Sequence, residues 1–144
     1  NYKLKTQVIR KGETILNETE IVIINSFGVL PEYLKYAKSA LIGKSLLPKL
    51  KNDGGQNPIL AAQMGCRIYH GPYVSNFIDI YKFLMDKNLS EEILTINDLS
   101  NNLINDFKIK KDLNQSKELF DNIGEKILEK TFKEIENFLN YENL

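Results

Sequence analysis

Cysteine and histidine are almost absent from this 144-residue chain, which carries one of each, Cys66 and His70. A lone cysteine permits no internal disulfide, and a single histidine leaves a structural zinc site without its ligand set, so no metal is expected. Long apolar runs are missing too. No stretch of about 18 apolar residues and no basic-then-apolar start occurs, so the piece reads as soluble and cytoplasmic, with membrane contact left to segments not among these residues. Catalytic fingerprints are equally scarce: neither Gly-x-x-x-x-Gly-Lys-Ser/Thr nor Gly-x-Gly-x-x-Gly nor a Gly-x-Ser-x-Gly elbow is present. From Tyr33 to Ile78 the one acid is Asp53, so that region holds no acid and base carboxylate pair. Cys66 reads as a small buried apolar residue rather than a thiolate nucleophile, and His70 either as a structural histidine or as a donor to a ligand.

What is present is enough for one domain over residues 1–144, with 42% hydrophobic residues to build a core. Charge is balanced, 19 basic residues against 19 acidic, but unevenly placed. Tyr33 to Ile78 holds six cations beside Asp53, whereas Asp112 to Leu144 holds eight acids and four lysines. The cationic stretch is either a locally electropositive binding region or a solvated lysine face. It is too discontinuous for a nucleic-acid footprint, so nucleic acid is not an expected partner.

The hydrophobic pattern alternates strand and helix. Strands are expected at Leu4–Arg10, at Glu20–Ile24 as a β-branched run buried on both faces, at Ser39–Ile42, at Cys66–His70 and at Ile93–Thr95. Helices are expected from Pro31 to about Ala37, over Ser75–Met85, and from an Asn97 or Asp98 cap to Phe107. The tail from Leu113 to Tyr141 is helical, with Leu119, Phe120, Ile123, Ile127, Leu128, Phe132, Ile135, Phe138 and Leu139 at three- and four-residue spacing and Gly124 as a dividing point. This order implies a Rossmann-like, doubly wound parallel sheet. Six of the eight glycines and all four prolines fall between Gly28 and Pro72, which puts the turns, and with them a ligand, at the carboxyl ends of the middle strands.

Within that span, residues 54–65 form a glycine loop leading into a short helix. Gly54 and Gly55 allow close backbone approach, Asn57 is the expected N-cap, Pro58 suits the first helical position, and Gly65 is the stop. Free N–H groups at such a helix start favour an anion.

Four segments then carry a resemblance: residues 25–30 (Asn-Ser-Phe-Gly-Val-Leu), 41–46 (Leu-Ile-Gly-Lys-Ser-Leu), 54–58 (Gly-Gly-Gln-Asn-Pro) and 71–77 (Gly-Pro-Tyr-Val-Ser-Asn-Phe). In order and spacing they resemble the C-terminal domain of 3-deoxy-D-manno-octulosonic acid (Kdo) transferase, over about Ile21 to Leu84. The resemblance implies the second half of a GT-B glycosyltransferase that moves Kdo from CMP-Kdo to a lipid A precursor in lipopolysaccharide biosynthesis, at the cytoplasmic face of the bacterial inner membrane. It implies a CMP-sugar as partner, no cofactor, and a catalytic general base in a partnering N-terminal GT-B domain, so that no catalytic residue is expected among these 144. The nucleotide site it implies comprises Phe27, Gly28, Val29, Ser45, Gly54, Gly55, Asn57, Pro58, Ile59 and Leu60. The chain departs from the family's pattern where Val29 and Leu60 replace glutamate, Gln56 and Tyr73 replace histidine, and Lys44 replaces glycine. Lys44 is either a charge directed at a phosphate or sugar carboxylate, or a solvent-exposed side chain.

Overall fold

The computed structural model describes residues 3–109 and 113–141. Its five strands run parallel to their neighbours, as the alternating pattern requires, but they form two small sheets rather than one. The first pairs β1 (Thr6–Ile9) with β2 (Ile21–Ile24), Thr6 opposite Ile21 and Ile9 opposite Ile24. The second has the order β3 (Ser39–Leu41), β4 (Arg67–His70), β5 (Ser90–Glu92), with Leu41 opposite Tyr69 and His70 opposite Glu92.

The helices are α1 (Leu30–Leu34), α2 (Ile59–Gln63), α3 (Ile78–Asp86), α4 (Ile96–Asp106) and α5 (Leu113–Tyr141). Single 3-10 segments at Pro48–Asp53 and Ser75–Phe77 lead into the glycine loop and into α3. The core lies between the second sheet and α1, α2 and α3, where Leu34, Ala61, Ala62, Cys66, Ile68, Tyr81 and Leu84 are buried together. Cys66 is the small buried residue its context suggests, with Sγ 3.4 Å from the Leu34 carbonyl oxygen.

Three expectations are corrected. The β-branched run of β2 is not buried on both faces: Ile21 and Ile23 are exposed, with no element among the described residues covering that side of the two-stranded sheet. The strand expected at Ile93–Thr95 lies earlier, at Ser90–Glu92, since Thr95 caps α4. Its hydroxyl accepts from Asp98 N–H at 3.1 Å while the Asp98 carboxylate accepts from Thr95 N–H at 2.8 Å, a reciprocal capping box that starts the helix ahead of the expected Asn97 or Asp98 cap. Gly124 does not divide the tail; α5 runs through it without interruption. Phe120 of α5 packs on the core, but Leu128, Phe132, Ile135 and Phe138 are exposed. The side chains of Ile127 and Leu139 lie outside the described ones.

Candidate functional site

The loops leaving β3 and β4 are fastened to one another by small, specific contacts. Ser45 is fully buried; its hydroxyl donates to the Ile42 carbonyl (2.6 Å) and accepts from the Gly71 N–H (3.0 Å), and its own carbonyl accepts from Tyr73 N–H at 2.9 Å. Gly71 has to be glycine for a plain steric reason, since a Cβ there would sit 2.3 Å from Ser45 O and Leu46 Cα. The loop after β4 then reaches the glycine loop. Asn76 donates from its side chain to Asp53 O (2.9 Å) and from its backbone to Gly54 O (3.1 Å).

Gly54 and Gly55 both adopt left-handed backbone, at φ of 66° and 78°. The space a side chain would need is already filled, by Asn76 at Gly54 and by Tyr73 O and Val74 at Gly55. Their glycine identity is thus set by packing of loop on loop, a reason the sequence alone assigns to ligand approach. From beneath, the Tyr81 hydroxyl donates to Gln56 O at 2.8 Å, and the Tyr81 ring stacks on fully buried His70 with centroids 4.3 Å apart. Burial pushes the Tyr81 phenol well above its ordinary pKa, so it stays a donor to the loop at any physiological pH. His70 Nδ1 lies 2.9 Å from Gly71 O, which makes it the hydrogen-bonded structural histidine of the two alternatives; its Nε2 is buried without a partner among the described residues.

The start of α2 lies one residue later than the glycine-loop pattern predicts. Pro58 is itself the cap residue and is buried, and Asn57 accepts from Ile59 N–H at 2.9 Å, so it caps through an Asx turn from one position further out. The first helical bond is Ala62 N–H to Pro58 O at 3.1 Å, which leaves the N–H groups of Leu60 and Ala61 in the opening turn. Gly65, at φ 71°, follows the helix as its left-handed stop.

The other residues named from sequence lie ahead of α1, in α2 and in the loop after β3. The Val29 side chain is buried and heads α1, while Phe27 beside it is fully exposed, and no hydrogen bond among the described residues ties 27–29 to the other loops. Leu60 packs against the core. The Ser45 hydroxyl has both its roles filled inside the fold. Lys44 holds a left-handed backbone (φ 59°), costly for any residue but glycine, and its ammonium pairs with Asp53 at 3.5 Å. Gly71, Asn76 and Tyr81 hold the loops together yet lie outside the set named from sequence; for two of them the Gly-Pro-x-x-x-Asn spacing was the available signal.

A cavity of about 360 Å³ opens at the opposite, amino end of β3, lined by Tyr36, Lys38, Ser39, Asp106 and Phe107. There the Asp106 carboxylate accepts from the Ser39 and Tyr69 hydroxyls, the latter at 2.8 Å. Burial, reinforced by that carboxylate, pushes the Tyr69 phenol up to about 12. Lys38 donates to the Phe107 and Ile109 carbonyls at the end of α4. Every one of these polar groups is committed to the fold.

Parallel strands with glycine-bearing loops knitted together at their carboxyl ends define a Rossmann-like α/β unit. No family model matches the chain. Among curated proteins it is 25% identical, over 96 residues and 67% of its length, to the 3-deoxy-D-manno-octulosonic acid transferase of Aquifex aeolicus (strain VF5), and it spans only 26% of that protein. Among solved structures it superposes, with a TM-score of 0.63 and 20% identity, on the C-terminal CMP-Kdo binding domain of WaaA from Acinetobacter baumannii, covering 73% of this chain and 53% of that one. The resemblance to the C-terminal domain of Kdo transferase is borne out by both matches, and the fold is that of the C-terminal GT-B domain.

Proposed function

We propose that this chain is the donor-binding part of a glycosyltransferase that moves Kdo from CMP-Kdo to a lipid A precursor. The observation that carries the reading is the knitting of residues 43–46, 53–57 and 71–77 at the carboxyl ends of β3 and β4, where open α/β sheets take their ligands. They overlap the segments, 41–46, 54–58 and 71–77, whose sequence resembles the transferase family. The nucleotide lies along Gly54, Gly55, Asn57, Pro58 and Ile59, with the N–H groups of Leu60 and Ala61 as donors to its phosphate, and the family resemblance adds Phe27 and Gly28.

In this reading Ser45 positions the loops rather than touching the nucleotide, and Lys44 reaches a ligand only by leaving Asp53. The general base belongs to an N-terminal GT-B domain, and the enzyme works at the cytoplasmic face of the inner membrane, without a metal. Among the described residues no helix is long and apolar enough to cross a membrane. A transfer assay on the intact protein with CMP-Kdo and a lipid A precursor tests this. Mass spectrometry should find acceptor carrying added Kdo; acceptor left unmodified, with donor binding intact, would sink the enzymatic reading.

One observation favours a second reading. Val29 is buried and Leu60 is packed into the core, so neither position turns toward a ribose the carboxylates that family members carry there. A binding module of the cell envelope that keeps the GT-B architecture without transfer accounts for both substitutions, and it predicts nucleotide affinity with no product. A GT-B enzyme for another nucleotide sugar would instead prefer UDP over CMP.

A further inference from the structure

Lys44 has no stabilising account within the fold. Among the described residues it is one of two non-glycine residues with left-handed backbone (φ 59°), the other being Asn88 (φ 55°). Asparagine tolerates that region through local hydrogen bonding of its short side chain, and lysine has no such means. The partner of Lys44 is Asp53 at 3.5 Å, with 51% of the lysine side chain and 40% of the aspartate side chain exposed. An ion pair this open to water returns less than the backbone costs.

Charge around the pair is one-sided. Asp53 is the one acid between Tyr33 and Ile78, and Lys49 and Lys51, on the 3-10 segment that ends at Asp53, are exposed. Both main chains are pinned nonetheless. Ser45, next to Lys44, is buried and bonded to Ile42, Gly71 and Tyr73, while Asn76 holds Asp53 O and Gly54 O. The Lys44 ammonium is thereby set at the border of the glycine loop. Side-chain rotation alone passes it from the Asp53 carboxylate to another anion.

We infer that Lys44 binds the carboxylate of the nucleotide-linked sugar acid, which displaces Asp53 from it. This contact rests on the donor-binding reading, in which the N–H groups at the start of α2 meet the phosphate and leave the donor's second anionic group, the sugar carboxylate, without a cation. Lys44 is the one cation in the knitted loops 43–46, 53–57 and 71–77, and the buried Val29 and core-packed Leu60 bring no charge. Asp53 then acts as a competitor: it holds the ammonium in place before the donor binds and gives it up to an equal charge, so the exchange leaves no cation unpaired.

Calorimetric titration of the intact protein with CMP-Kdo and with CMP, in wild type and variants, tests this. Lys44→Gly relieves the backbone and so keeps the fold; it should weaken CMP-Kdo binding at least about 10-fold and CMP binding less than about 2-fold. Asp53→Asn should tighten CMP-Kdo binding about 3-fold or more. The double variant should bind as Lys44→Gly does, because Asp53 acts only through Lys44. Equal weakening of both ligands in Lys44→Gly would put the ammonium on the phosphate and overturn the inference, as would unchanged affinity, or weaker CMP-Kdo binding in Asp53→Asn. Wild-type protein that binds neither ligand would overturn the donor-binding reading itself, and this contact with it.

Discussion

At the scale of single residues, the loops are held by positions where one atom more is too many. Gly71→Ala should destabilise the fold by about 1–3 kcal/mol or more, because its Cβ meets backbone of Ser45 and Leu46 that cannot swing aside. Gly28→Ala is the control: its φ is also positive, at 75°, but the space around it is open, so the cost should stay near the 1–2 kcal/mol of left-handed backbone. Urea unfolding of the two variants separates clash from strain. Lys44 offers the converse case. Lys44→Gly and Lys44→Ala both lose the half-exposed pair with Asp53, but only glycine relieves the backbone, so the glycine variant should be more stable than the alanine one by about 1 kcal/mol. Tyr69 sets a limit at high pH. Its phenol titrates at about 12 in the fold and near 10 when unfolded, so its contribution is complete below pH 10 and is lost as pH rises from 10 toward 12. Tyr69→Phe should reduce the slope of that part of the pH–stability profile, and the slope that remains comes from Tyr81, whose phenol burial raises as well.

The elements show where the sequence was informative and where it was not. Strand and helix order was legible from β-branched runs and three- and four-residue spacing, and the tail helix matched from Leu113 to Tyr141. The error at Ser90–Glu92 has a physical origin: Ser-Glu-Glu lacks apolar residues, and its strand pairing comes from β4 on one side while Glu91 is taken up by Arg67 and Asn102. The Thr95–Asp98 box was legible in principle, as Thr-x-x-Asp ahead of an apolar periodicity. Thr95→Ala should cost about 1 kcal/mol by thermal unfolding. The Thr95 hydroxyl, with its backbone N–H, holds the Asp98 carboxyl below its ordinary value. That contribution is present above the ordinary carboxylate pKa and fades as pH falls below it, so the difference between wild type and Thr95→Ala should shrink in acid. In the candidate site, the loop positions were legible from glycine and proline clustering. The direction of the side chains was not, because the burial of Val29 and Ser45 and the packing of Leu60 against the core depend on residues distant in sequence, Gly71 and Tyr73 among them for Ser45.

The whole molecule joins a glycine-loop system built by packing to a parallel α/β fold similar to that of a CMP-Kdo binding domain. In the proposed donor site, the two positions where the transferase family carries glutamate hold Val29, which is buried, and Leu60, which packs against the core. The proposed site is left with backbone N–H groups to meet a phosphate, so its affinity should be modest. The most direct test is calorimetric titration of the intact protein with CMP-Kdo, CMP and UDP. The account predicts saturable binding of CMP-Kdo at sub-millimolar concentration, competition by CMP, and markedly weaker binding of UDP. No binding of CMP or CMP-Kdo at millimolar ligand, or equal binding of UDP, would contradict it.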